Sequence, residues 1–293
     1  LTEAIRLHRA GEVDRAEPLY LQLLRKDPSS FEANLYLGTL YLEKGTLPPA
    51  VEHLGRSVRQ NPTHGPARHY WALALEQMGQ FASAEQAYEA ALALGSPSGR
   101  LLVQSANFMT RIQKTDRASQ LYGQAVTRDP NLAEAWHGLA ELARIEGDTP
   151  KAETLYRRAL AANPDWFPSL LHLGLLLEQE EGSFEAADLL DRAVKLVPTS
   201  VEARVALAHA WARQGRWSEG LALVAKLRQE APDQPLVHEA LAILYDGQGM
   251  ADRATNSVRQ AVGLRPSSVR YRMWLGERLL ASGLRFEGME QFQ

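Results

Sequence analysis

Apolar residues recur along this chain at three- and four-residue intervals, in short runs that are cut off at regular places. In residues 133–146, Ala135, Trp136, Leu139, Ala140, Leu142 and Ala143 follow helical spacing, and Gly147 stands where a left-handed C-cap is wanted. Asp148 or Thr149 can cap a second helix whose first turn tolerates Pro150. That helix carries Ala152, Leu155, Tyr156, Ala159 and Leu160 on one stripe and runs to Asn163. Pro164 stops it, because proline has no N–H to donate and pushes the preceding residue out of the helical region.

The same design repeats with a step of 34. Pro28, Pro62, Pro130, Pro164, Pro198, Pro232 and Pro266 share one lattice, and its vacancy is Ser96, beside Pro97. A small-residue column holds Ala16, Ala50, Ala84, Ala118, Ala152, Ala186 and Ala254, with Gly220 in the remaining slot. A large column holds Tyr20, Leu54, Tyr88, Tyr122, Tyr156, Leu190, Val224 and Val258. Gly11, Gly45, Gly79, Gly147, Gly215, Gly249 and Gly283 mark the turn inside each unit, with Gln113 and the near miss Glu181-Gly182 as exceptions.

Each unit therefore predicts an antiparallel helix pair. Small residues let the two helices approach, and a Tyr or Leu fills the adjoining gap. One pair buries too little alone, so neighbouring units must stack and stabilise one another at their interfaces. The prediction is an all-α solenoid.

Composition narrows the partner classes. Lys and Arg number 32 against 35 Asp and Glu, interspersed to a net charge of -3, so no basic footprint for nucleic acid exists. With 0 Cys there is no thiolate metal site, cysteine nucleophile or disulfide, and cytosol and periplasm both stay open, the cytosol being favoured. The most apolar run, Leu170 to Glu178, falls short of the roughly 20 residues a membrane span needs. The chain opens on Leu1 without a visible signal peptide and stops inside a helix, which is the pattern expected of a piece of a longer protein.

A 34-residue helix pair with Trp136 and Leu139 in its first helix, Ala152 and Tyr156 in its second and Pro164 at its close resembles the tetratricopeptide repeat family. Residues 31–64 (Leu37, Gly38, Tyr41, Ala50, Pro62) and 235–268 (Leu241, Tyr245, Ala254, Pro266) match nearly as well. The expected organisation is a single array over 1–293: a partial unit 1–30, then 31–64, 65–98, 99–132, 133–166, 167–200, 201–234 and 235–268, and a partial 269–293. The resemblance implies a right-handed α-solenoid that holds a peptide or protein in the concave groove lined by its first helices.

Carried onto this sequence, that groove implies Tyr36, Thr39, His69, Tyr70, Gln104, Asn107, Arg111, His137, Glu141, Arg144, His172, His209 and Arg213 as partner-contacting residues. Two of the family's known solutions are missing. The Lys, Asn and Arg set that clamps a terminal carboxylate would need the columns that hold Leu35, His69, Val103, His137, Leu171 and Val205, and Thr39, Leu73, Asn107, Glu141, Leu175 and His209. The asparagine ladder that grips a peptide backbone is replaced by Tyr36, Tyr70, Gln104, Gly138, His172, Ala206, Ala240 and Trp274. Arg111, Arg144 and Arg213, with His137, His172 and His209, lean the middle of the face positive, while Glu239, Asp246 and Glu277 make its far end acidic. The same charges also fit an ordinary solvated face.

His137, His172 and His209 fall in consecutive units, but packed helices lie roughly 8–10 Å apart and ligation needs nitrogens within about 2.1 Å of one ion, so no metal and no cofactor are expected. No HExxH, P-loop, GxGxxG or GxSxG motif occurs. The expectation is a non-enzymatic interaction scaffold. The alternative is a substrate-recruiting arm, since residues 3–28 look like the opening of bacterial proteins in which such repeats precede a glycosyltransferase, sulfotransferase or methyltransferase domain. Self-association through exposed terminal units is a third expectation.

Overall fold

The structure, a computed structural model, describes residues 1–178 and 184–292. The near-miss turn at Glu181-Gly182 lies outside the described residues. Every regular element among them is a helix. The helices are α1 Thr2–Arg9, α2 Val13–Lys26, α3 Phe31–Glu43, α4 Leu47–Gln60, α5 Gly65–Gln77, α6 Phe81–Leu92, α7 Gly99–Arg111, α8 Thr115–Arg128 and α9 Ala133–Glu146. They continue as α10 Thr149–Ala162, α11 Phe167–Glu178, α12 Phe184–Leu196, α13 Val201–Arg213, α14 Trp217–Glu230, α15 Pro235–Gly247, α16 Ala251–Leu264, α17 Val269–Ala281 and α18 Arg285–Glu290. Contacts divide them into two compact units, Leu1–Leu142 and Ala143–Gln293, each an all-α solenoid of stacked helix pairs.

The small column sits between paired helices: Ala16, Ala50, Ala84, Ala118, Ala152, Ala186 and Ala254 are all completely buried. Its large partners pack across it. A Cβ added to Gly38 would lie 2.6 Å from Leu54 Cγ, and one added to Gly174 would lie 2.6 Å from Leu190 Cγ. Helix ends follow the sequence closely. Asp148 caps α10 by accepting the Lys151 N–H at 3.2 Å, and Asn163 follows its last turn.

The lattice prolines also work after the stop. A proline carbonyl needs a donor, and at five of the seven the side chain six positions on lies against it: Asn34 Nδ2 donates to Pro28 at 3.0 Å, Arg68 Nε to Pro62 at 2.7 Å and Trp136 Nε1 to Pro130 at 2.8 Å, whereas Pro164 takes Arg192 instead. Arg204 Nε donates to Pro198 at 2.7 Å, and His238 Nε2 lies 2.8 Å from the Pro232 carbonyl. Trp136 is thereby structural, while Trp211 lies under the Arg216 guanidinium, 4.8 Å from its ring centre. Where the lattice is vacant, at Ser96, the sixth residue on is Leu102 and the tie is lost.

The turn glycines all take positive φ, from +70° at Gly45 to +83° at Gly283, and among the described residues the one non-glycine in that region is Gln113, at +62°. An L side chain there costs roughly 1–2 kcal/mol. Gln113→Gly is therefore expected to raise stability by about 1 kcal/mol, read as a higher urea midpoint; an unchanged or lower midpoint would contradict the turn assignment.

Candidate functional site

The columns nominated from sequence lie on α3, α5, α7 and α9 up to Leu142 in one unit, and on the end of α9, α11 and α13 in the other. Within each unit they are a mixture of buried and open positions. Leu35, His69, Val103, Leu171 and Val205 are buried, so most of the column aligned with the carboxylate clamp is packing. Thr39 is also buried and donates its hydroxyl to the Tyr36 carbonyl at 2.9 Å. Neither arrangement leaves those groups facing solvent.

The aromatic pair is split. Tyr36 is half-buried and stacks on Tyr20 of the preceding helix pair, with ring centres 6.2 Å apart and planes at 11°. Tyr70 stacks instead on His69, at 5.8 Å and 14°. In the Tyr20–Tyr36 pair the large column of a second helix meets the ladder column of the next unit. The same vector brings the Tyr156 ring edge-on to His172 at 6.1 Å, and presses the Tyr122 ring against Gly138, where a Cβ would overlap it.

Asn107, on the exposed face, is held by two side-chain hydrogen bonds. Its Oδ1 accepts the Tyr122 hydroxyl at 2.5 Å and its Nδ2 donates to Glu134 at 2.9 Å. Burial pushes the Tyr122 hydroxyl up to about 12, so it stays a donor throughout the working pH range. Gln104 lies against His69 across α5 and α7, favouring the protonated ring, but burial outweighs it and holds His69 below the usual imidazole value.

The positive lean expected in the middle of the face is offset by charges the columns did not reveal. Arg111 pairs with Glu76 at 2.7 Å and Arg213 with Glu178 at 2.7 Å, each with the preceding first helix. His8 and Glu43, 3.0 Å apart, repeat the same step. His209 is mostly buried and burial lowers its pKa, so it adds no charge near neutrality. Arg144 is exposed, His137 and Glu141 half-exposed on α9, and His172 half-exposed on α11.

At the acidic far end, Glu239 accepts the Tyr271 hydroxyl at 2.8 Å and pairs with Arg270, while Asp246 bonds Arg278 at 2.5 Å. Among the described residues Glu277 is exposed beside Met273, itself 46% exposed. The last helix pair leaves Phe286 (91% exposed) and Met289 (59%) uncovered.

His53, His69 and His209 all have pKa values depressed chiefly by burial. The folded chain then takes up protons less readily than the unfolded chain, so stability is fully present above about pH 6.5 and falls as pH drops below it toward the folded values. The thermal midpoint is expected to be lower at pH 5.5 than at pH 7.5, with His209→Gln reducing the difference. Equal midpoints would mean these rings titrate freely.

Comparison with known proteins agrees with the geometry. The family model for the Cilia and flagella-associated protein 70 middle TPR-like domain matches residues 100–264, more than half the chain, and a tetratricopeptide repeat model matches residues 1–64. The chain belongs to the tetratricopeptide repeat family. It is similar to the Cellulose synthase 2 operon protein C of Komagataeibacter xylinus, 36% identical over 113 residues that make up 38% of this chain and 9% of that protein. The chain thus spans about a tenth of the length of the curated relatives it matches. Among solved structures, Pseudomonas aeruginosa pilF superposes with a TM-score of 0.65 at 18% identity, covering 71% of this chain and 95% of that one. YrrB, a TPR protein described as having an unusual peptide-binding site, gives 0.50 at 16% identity over 63% of this chain and 95% of its own. These likenesses share the helix-pair fold. No helix of the described residues is long and apolar enough to cross a membrane.

Proposed function

We propose that this chain is a non-catalytic interaction scaffold that holds an extended peptide, or a protein segment, against the exposed residues of its first helices. The observation that carries the reading is the contrast between the two helix sets. The alanine column of the second helices is wholly buried, whereas successive first helices keep Tyr36, Tyr70, Asn107 and Arg111 open or half-open to solvent. Tyrosine and arginine are the residue types that most often anchor protein interfaces. The peptide-binding site described for YrrB supports the ligand class.

Because Arg111 and Arg213 are already paired, a ligand on this face gains more from hydrogen bonds and aromatic contact than from net charge. A peptide selected on the chain from a displayed random library is expected to bind roughly ten-fold or more weakly to Asn107→Ala/Arg111→Ala. The variant's thermal midpoint reports whether it is folded. Unchanged binding by a folded variant would remove α7 from the site. The recruiting-arm reading draws on the cellulose synthase operon protein, of which the match covers 9%. It uses the same face and differs in what the rest of the polypeptide does.

A further inference from the structure

We propose that the recess between α5, the α6–α7 connection and the start of α7 binds a phosphate monoester carried on a small apolar body. The recess exists because the repeat is interrupted there. α6 has 12 residues where α4 and α8 have 14, and the chain crosses to α7 through Ala93–Ser98 with Gly95 at φ +115°. The lattice proline and its side-chain tie are both missing at this crossing, and a cavity of about 460 Å³ opens in their place. That volume lies within the range of small-molecule sites.

The wall chemistry selects an anion. Thr63, Tyr70, Ser96 and Ser98 contribute hydroxyl groups, Arg100 a guanidinium and His69 a ring edge, with no carboxylate in the lining. Arg100 is exposed and has no ion-pair partner among the described residues, whereas Arg111, Lys114 and Arg117 of the neighbouring turns each pair with a glutamate. His69 is 9% exposed and lines the recess as a packed ring with its Nε2 sealed from solvent, so the donors open to a ligand are the hydroxyls, Arg100 and the start of α7. α7, 13 residues long, begins at the recess; Ser98 accepts the Leu101 N–H at 3.2 Å, and the Gly99 and Arg100 N–H groups have no acceptor among the described residues. A phosphate offers three acceptor oxygens and up to two negative charges to these donors. Leu94 and Leu101 supply an apolar floor for the group that carries it.

This inference does not depend on peptide binding by the first-helix face, and its test uses a different ligand. Phenyl phosphate is titrated into the intact chain by calorimetry, with inorganic phosphate and phenylacetate as comparison probes. Saturable binding is expected, tighter than for either comparison probe, about ten-fold or more weaker in Arg100→Ala, and unchanged in Arg56→Ala, an exposed arginine paired with Glu52. Absence of saturable binding, or binding indifferent to Arg100→Ala, overturns the site. Phenylacetate binding as well as phenyl phosphate overturns the phosphate assignment, and inorganic phosphate binding equally well overturns the role of the apolar floor.

Discussion

Tyr88→Ala is expected to destabilise the protein by about 3–5 kcal/mol, the range for removing a large buried ring. The Tyr88 side chain is completely buried, with its ring centre 5.1 Å from that of Phe108 and 6.2 Å from that of His69. It therefore joins α6 to both the helix before it and the helix after it. Its hydroxyl donates to Glu76 at 2.5 Å, and burial together with that carboxylate pushes its pKa well above the ordinary phenol value. Glu76 keeps Arg111 when the ring is removed, so the loss is mainly cavity and contact rather than a stranded charge. Tyr88→Phe separates the terms: it should cost about 1.5–3 kcal/mol, the range for a hydrogen bond to a charged group. Stacked repeats need not unfold in one step. Hydrogen exchange of α5–α7 amides, alongside a urea titration, therefore reads the effect where it arises. Protection unchanged in those helices would show that Tyr88 does not couple them.

Gly220→Val is expected to cost about 3 kcal/mol, near the upper end for overpacking. Column statistics alone point the other way, because the small column carries alanine in the other seven units from Ala16 to Ala254. In α14, however, a Cβ at position 220 would lie 2.8 Å from the Ala208 carbonyl oxygen and 3.2 Å from Leu244 Cδ2. A leucine tip can rotate away; a backbone carbonyl inside α13 cannot without disturbing its helix. Gly220→Ala should also be destabilising, by less, since alanine returns up to about 1 kcal/mol of helix propensity. Urea midpoints of the two variants, with Gly263→Ala as a comparison where a Cβ meets nothing within 4 Å, decide the matter. A stabilised Gly220→Ala would mean that the close approach of α13 and α14 is wrong.

These two sites show which features the sequence carried. Helix boundaries were legible because their causes are local: proline removes a donor, and the turn needs a left-handed residue, so even the exception at Gln113 adopts φ +62°. The large and small columns were legible because a one-dimensional lattice repeats every inter-unit contact. Contacts that step off the lattice were not. Arg111 meets Glu76 and Arg213 meets Glu178 across 35 positions rather than 34, a diagonal between adjacent first helices that aligned columns do not display. Two of the residues nominated for ligand contact were thus already paired. The burial of His69 and Thr39 was not legible for a related reason: a helical face can be assigned from phase, but its exposure depends on how closely the next unit packs. Arg100 was not legible although the vacancy at Ser96 marks its neighbourhood, because a missing lattice residue says that something changes without saying that a cavity opens.

Photocrosslinking tests the central claim most directly. A photoreactive side chain is placed singly at Gln104 and Asn107 on the first-helix face, and at Gln120 and Gln124 on second helix α8, and each chain is irradiated with a selected peptide ligand. Crosslinks are expected from positions 104 and 107 and none from 120 and 124. Crosslinks confined to α8 would contradict it and move the working surface to the second helices.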